Sequence, residues 1–238
     1  MTSPTPLLLL WDIDGTLQVS GGAGMRALSA ALATTFGISH SLADIEFAGR
    51  TDRWILQQIV SKFGLPPEPS ASERFFRAYF SKLPSELSPE SAYLLPGVAD
   101  LISEVHGKSH LTQGLLTGNM RASAEIKLRF SGVWDYFPFG AFGDEHERRD
   151  DLGPLAVARA RAHRGISFAP EQIWIIGDTP HDIACGRAMG ARTLAVATGR
   201  HSMEELGRHA PDAVLPNLAD REAFWATLAQ PRSTGTSL

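Results

Sequence analysis

Cysteine is almost absent from the chain. Cys185 is the only one in 238 residues, which excludes an intramolecular disulfide framework and a multi-cysteine metal site and suits a reducing compartment. Positive charge is not in excess either. Lys and Arg total 22 against 26 Asp and Glu, a formal net charge of −4, so there is no electrostatic footprint for nucleic acid. An anionic ligand must therefore be attracted locally. Long apolar runs are missing as well, and no stretch approaches the roughly 20 residues that a membrane-spanning helix needs. The dense run Leu7–Trp11 has no basic flank and leads straight into two aspartates, unlike a signal-peptide core. These absences lead to the expectation of a cytoplasmic protein with neither membrane nor nucleic acid as partner. What is present is ordinary globular composition: 43% hydrophobic and 20% charged residues allow a full core.

Four short apolar runs have strand length: Leu7–Trp11, Leu111–Leu116, Ile173–Ile176 and Thr193–Ala197. Continuous apolar runs of this kind suit strands buried on both faces of a parallel sheet. Helix-period segments lie between them, including 120–130, 152–162 and a segment after Pro180. Alternation of this sort indicates an α/β, doubly wound parallel sheet. Between Gly21 and Tyr93 the alternation stops. Three helical stretches occur there, Ala23–Phe36, Asp52–Phe63 and Ser72–Leu83, with no convincing strand. The expected division is a core of 1–16 and 94–230, a helical insertion of 17–93 and a disordered tail of 231–238; the first six residues read as frayed too.

Two acidic clusters follow apolar runs directly. Leu7–Trp11 delivers Asp12 and Asp14, with Gly15 allowing a sharp turn, and Ile173–Ile176 delivers Asp178 and Asp182. Ligands of an open parallel sheet bind outside the carboxyl ends of the strands, so the two clusters should face each other. Carboxylates packed together repel unless something positive sits among them. Hard oxygen donors favour Mg²⁺, and the eight histidines show no ligand spacing. A third run ends in Thr117-Gly118-Asn119 just before a helix. A hydroxyl, a glycine and a helix N-terminus can cradle phosphate, although those three residues alone read equally as a strand-to-helix turn.

With these motifs in order, the chain resembles the haloacid dehalogenase-type hydrolase superfamily, and most closely its phosphoglycolate-phosphatase-like members with a small helical cap. The DxDGT segment stands as Asp12-Ile13-Asp14-Gly15-Thr16, the lone hydroxyl of the second motif as Thr117, and GDxxxD as Gly177-Asp178-Thr179-Pro180-His181-Asp182. The third motif departs from the family pattern. Where a lysine is usual, Arg149 gives the best match, with Arg148 as the alternative. The resemblance implies a Rossmann-like core with an inserted cap domain and a Mg²⁺-dependent phosphatase acting on a small phosphorylated metabolite. It implies that Asp12 attacks phosphorus and forms an aspartyl-phosphate, while Asp14 acts as acid and then as base. It assigns the metal to Asp12, the Asp14 carbonyl and Asp178, with Asp182 acting through water or by orienting the site. Thr117, Gly118 and Arg149 would hold phosphoryl oxygens, with Asn119 beside them. Arg50 and Thr51, just before a helix of the insertion, match the cap segment that contacts substrate. Asp14 sets dehalogenation aside, because a halide needs no proton to leave. Two further readings are a β-phosphoglucomutase-like phosphotransferase and a catalytically weak regulatory protein of the same fold.

Outside these motifs, Ser20–Gly24 reads as a hinge or as plain loop punctuation, Thr51 also as a helix cap, Asp52 also as a helix-start residue, and Cys185 as a small buried apolar side chain.

Overall fold

The computed structural model describes residues 4–66 and 68–231. The expected tail lies outside them from residue 232 onward, as do residues 1–3 of the expected frayed start. The elements in chain order are β1 (Leu7–Trp11), β2 (Gln18–Val19), α1 (Ala23–Phe36), α2 (Asp52–Phe63), α3 (Pro69–Glu86), β3 (Tyr93–Leu94), α4 (Val98–His106), β4 (Leu111–Leu116), α5 (Arg121–Phe130) and β5 (Gly140–Ala141). Then come α6 (Leu152–Arg164), β6 (Ile173–Gly177), α7 (Pro180–Ala188), β7 (Arg192–Val196), α8 (Met203–Gly207), β8 (Ala213–Leu215) and α9 (Arg221–Ala229).

The main sheet has six strands in the order β5-β4-β1-β6-β7-β8, each pair parallel. It is the Rossmann-like doubly wound layer expected from the runs. The register places Leu7 opposite Leu111 on one side of β1 and Leu8 opposite Ile173 on the other. Chain order reverses at β1, so its carboxyl end is a topological switch point. The two faces of β1 explain why its run is apolar throughout. Leu9 and Trp11 pack with Val98, Leu101 and Ile102 of α4 and with Phe224 of α9. Leu8 and Leu10 pack with Leu152, Ala156 and Ala160 of α6. Each such leucine, fully buried, contributes about 1.5–3 kcal/mol relative to an exposed position.

Helices α1, α2 and α3 form a cluster of their own, with Leu28 and Leu32 of α1 against Phe75, Tyr79 and Leu83 of α3. The chain enters and leaves this unit through a two-stranded antiparallel ribbon, Gln18 opposite Leu94 and Val19 opposite Tyr93. That ribbon was not foreseen, and neither were β5 and β8. Helix α3 also outruns its expected span, starting on Pro69 and continuing past Pro84 to Glu86. Proline is well suited to a first helical turn, and Pro84, the third residue from the helix end, removes only the one N–H that would have bonded the Phe80 carbonyl. Among the described residues no helix is long and apolar enough to cross a membrane.

Candidate active site

At the end of β1 the Asp12 N–H donates to Ile176 O at 2.9 Å, which ties the first acidic segment to β6. The chain then turns on Ile13, whose carbonyl accepts from the N–H groups of Leu17 and Gln18 at 2.9 and 3.0 Å. Gly15 sits at φ 86, a left-handed conformation that glycine adopts without strain. A Cβ there would overlap the Asp178 carboxylate, so the turn can lie against that side chain only as glycine. Thr16 Oγ1 donates to Asp178 Oδ1 at 3.1 Å. On the facing loop Thr179 caps α7, and its N–H and hydroxyl donate to Asp182 Oδ2 at 3.0 and 2.7 Å. The result is a cluster in which Asp12, Asp178 and Asp182 each bring a carboxylate oxygen within 4.8 Å of the others. Of the four carboxylates expected to meet, three do so, and the Asp14 side chain turns elsewhere.

Crowding shows in the acidities. Burial, offset in part by Arg149 and reinforced by Asp182 and Asp14, pushes the Asp12 carboxyl up to about 6. Burial and the neighbouring Asp12 and Asp182 raise Asp178 well above the usual carboxylate range. Arg149 answers this charge. Arg149 Nη2 lies 3.0 Å from Asp12 Oδ1, pairs with Asp182 Oδ1, and donates to Leu116 O at 3.1 Å. Burial lowers the guanidinium's affinity for its proton, but the attraction of Asp12 and Asp182 more than compensates. Arg148, the other arginine considered from the sequence, is 75% exposed and pairs with Asp150. Cys185 is buried beneath Arg149, with Sγ 3.6 Å from its carbonyl oxygen.

Asp14 is held by a different set. Its Oδ1 accepts from Ser20 Oγ at 2.5 Å, and its Oδ2 accepts from Asn119 Nδ2 at 2.8 Å and from Lys127 Nζ at 2.5 Å. Burial raises its pKa, but Lys127, Ser20 and Asn119 outweigh that and leave it below the ordinary value. Thr117 is fully buried, and its Oγ1 accepts from the Asn119 N–H and Nδ2 at 3.2 and 3.0 Å.

The helical unit meets this site at residues 49–52. Thr51 Oγ1 accepts from Trp54 N at 3.1 Å and donates to Glu147 O at 2.7 Å. The threonine caps α2 and does not line the cavity. Asp52 N donates to Gly118 O at 2.8 Å, and Asp52 Oδ2 accepts from Met120 N at 2.8 Å and Ser123 Oγ at 3.0 Å. Three backbones stack at this point. A Cβ on Gly118 would overlap the Arg50 carbonyl, and one on Gly143 would overlap the Gly118 carbonyl. Arg50 itself reaches the cavity wall, paired with Glu46 at 2.6 Å and lying 4.4 Å over the Trp54 ring. Between core and helical unit is a cavity of about 360 Å³, with Asp12, Asp14 and Arg149 on one side and Met25, Leu28 and Ile55 on the other. Gly118 and Asn119 also border it; Thr117 does not.

Lys127 and Ser20 escaped the sequence reading as site residues. The signal for Lys127 was its place in the α5 stripe that buries Ser123, Ala124 and Leu128, where a lysine is out of keeping.

Comparison with known proteins gives a consistent picture. A family model described as HAD-hydrolase-like matches residues 153–221. The chain is 28% identical to the phosphoglycolate phosphatase of Synechococcus elongatus over 216 residues, covering 89% of this chain and 93% of that one. A hydrolase from Pseudomonas syringae superposes with a TM-score of 0.68 at 18% identity, covering 94% of this chain and all of that one. CbbY from Rhodobacter sphaeroides, solved in complex with phosphate, gives 0.65 at 20% identity, with 91% and 96% covered. At such identities the two structures speak for the fold alone.

Proposed function

We propose that the chain, a member of the haloacid dehalogenase-like hydrolase superfamily by its family-model match and its phosphoglycolate phosphatase relatives, is a Mg²⁺-dependent phosphatase hydrolysing a small phosphorylated metabolite in the cytoplasm. The observation that supports this reading is the buried trio Asp12, Asp178 and Asp182 beside Arg149. The trio fits the ion. Oxygens around one Mg²⁺ at about 2.1 Å lie roughly 3–4 Å from one another, and the three carboxylates bring oxygens within 4.8 Å. The pKa values of Asp12 and Asp178 are raised first by burial and then by the neighbouring carboxylates, a repulsion that a cation among them would relieve. Asp12, Asp178 and the Asp14 carbonyl would hold the ion, with Asp182 steadying Arg149. Bound there, the ion would offset the charge of the carboxylates and of the phosphoryl oxygens.

In this reading an Asp12 carboxylate oxygen bonds to phosphorus as the bond from phosphorus to the alcohol oxygen breaks, and Asp14 gives that oxygen its proton. Asp14, now ionised, takes a proton from water as the water oxygen attacks the same phosphorus. Asp12 is released and inorganic phosphate leaves. Arg149 and the Gly118 N–H hold the non-bridging oxygens, with Asn119 and Arg50 beside them, while Thr117, buried behind the cavity wall, steadies Asn119. Thr51 contributes by seating α2. The unit of residues 17–93 acts as the cap that encloses the alcohol half of the substrate. The test is phosphate release over a panel of phosphorylated metabolites, with Mg²⁺ and with EDTA, run beside Asp12→Asn. Undiminished turnover by that variant, or turnover indifferent to EDTA, would overturn the reading.

A further inference from the structure

Among the buried charges of the described residues that the proposed reaction does not use, Lys127 borders the cavity. Lys127 projects from α5, its side chain 6% exposed, on the stripe that carries Ala124 and Leu128. A lysine withdrawn from water is costly unless its ammonium is paired and hydrogen-bonded, and an apolar side chain would suit this stripe better. The ammonium has two partners. It donates to Asp14 Oδ2 at 2.5 Å and to Asn119 Oδ1 at 2.7 Å, while Asn119 Nδ2 donates to Asp14 Oδ2 at 2.8 Å. The three side chains thus close a ring of three hydrogen bonds.

That ring has a directional consequence. An asparagine amide can be turned over with little change of shape, exchanging donor for acceptor. Lysine can only donate, so Lys127 requires the Asn119 oxygen to face it and thereby turns Nδ2 toward Asp14. Remove the ammonium and Asn119 Oδ1 loses its donor while Asp14 Oδ2 keeps only the amide, so that carboxylate oxygen is held from one side instead of two. Asp52, Ser123 and Tyr79 stand around the same position, with Asp52 holding Met120 N and Ser123 Oγ at the start of α5, so the helix that carries Lys127 is itself anchored. Asp14, meanwhile, remains 38% exposed and borders the cavity. We propose that Lys127 is a positioning residue for Asp14: through the ring with Asn119 it aims the Asp14 carboxyl at the leaving oxygen. This rests on the phosphatase reading and adds the residue that fixes where its acid–base carboxyl points.

The experiment compares kcat/KM, which reports the first irreversible step, for p-nitrophenyl phosphate and for a simple alkyl phosphate with Mg²⁺. The aryl group leaves without a proton and the alkoxide does not. Lys127→Met is expected to lower kcat/KM for the alkyl ester about 100-fold or more, the usual scale of general acid catalysis, and that for the aryl ester less than about 5-fold. Lys127→Arg should restore most of the alkyl activity, and Lys127→Met combined with Asp14→Asn should be no worse than Asp14→Asn alone. A loss of equal size on both esters, total loss included, or no loss on either, overturns the proposal, because a merely structural lysine is blind to the leaving group. If Lys127→Met does not fold, Lys127→Gln takes its place with the same two outcomes. Failure of the phosphatase reading shows separately, as no Mg²⁺-dependent turnover by the unaltered chain or full turnover by Asp12→Asn, and it takes this inference with it.

Discussion

Replacing Asp12 by asparagine removes the attacking group of the proposed reaction and should nevertheless make the metal-free protein more stable. Asp12 is 5% exposed, shares its corner with Asp178 and Asp182, and has its carboxyl pushed from 3.8 up to about 6. The raised value already contains the attraction of Arg149, so it measures what the ionised carboxylate costs after its best partner is counted. That interval corresponds to about 3 kcal/mol withheld from the fold at neutral pH. Asparagine resembles the neutral acid in shape and can still accept from Arg149 through Oδ1. We therefore expect Asp12→Asn to gain about 1–3 kcal/mol, the upper end applying if the amide satisfies its donors as well as the protonated acid does.

The dependence on pH follows from the direction of the shift. A carboxyl whose pKa rises on folding binds its proton more tightly in the folded state, so stability grows as pH falls through about 6 and levels off below the unfolded value of 3.8. Asp178 is displaced the same way and adds to the slope. Urea unfolding followed by tryptophan fluorescence, in EDTA, should place Asp12→Asn above the unaltered protein at pH 7.5, with the gap shrinking at pH 5. Adding Mg²⁺ should narrow or reverse the order, since the unaltered chain keeps the ligand. A variant less stable than its parent by 1 kcal/mol or more in EDTA at pH 7.5, or a gap unchanged between the two pH values, would refute the reasoning.

Arg149→Ala should cost about 3–5 kcal/mol by stranding buried carboxylates and cut turnover far more than Arg148→Ala, whose effect on stability should stay within about 0.5 kcal/mol; the reverse order in urea melts and phosphate release would exchange the two roles. Mg²⁺ at about 100 times its Kd should stabilise by about 2.7 kcal/mol, a rise in Tm of roughly 5–10 °C for a chain of this size, and Asp178→Asn should lose most of that rise in a scanning-fluorimetry titration. Thr51→Val should lower stability by about 1–2 kcal/mol through the lost α2 cap while KM moves less than about 3-fold; a KM effect without a stability effect would make Thr51 a substrate contact after all.

Much of the core was legible because its signals are local. Leu7–Trp11 and Ile173–Ile176 are apolar at every position, and in the structure Leu8 and Leu9 face different helical layers, as a doubly covered strand requires. The ends of α1 and α2 could be read from Gly37 and Gly64, which adopt the left-handed conformation just past each helix. By contrast Gly140–Ala141 and Ala213–Leu215 are too short to display any period, and only the neighbouring strands make them strands. The same contrast governs the site. Asp12 and Asp178 follow their strands directly, so a sheet-edge rule suffices to bring them together. Lys127 meets Asp14 across 113 positions of sequence, and that meeting depends on how α5 packs against α3 and beside the turn after β1, which no window of residues reveals. The turning of Asp14 away from the other carboxylates has the same origin.

The stacked backbones at Arg50, Gly118 and Gly143 carry a consequence for how such a molecule can change over time. Where the helical unit rests on the core at this point, main chain touches main chain, with the Thr51 and Asp52 side chains bonded across the joint beside it. The seating is therefore independent of the residue types that α1, α2 and α3 turn toward the cavity. Met25, Leu28 and Ile55 can be exchanged, and the chamber reshaped, while Asp12 keeps its distance from the seat. A molecule built this way has a fixed jaw and an interchangeable one. Its reaction can stay constant while the compounds it accepts diversify, and the two small residues at the joint are what keep those histories separate.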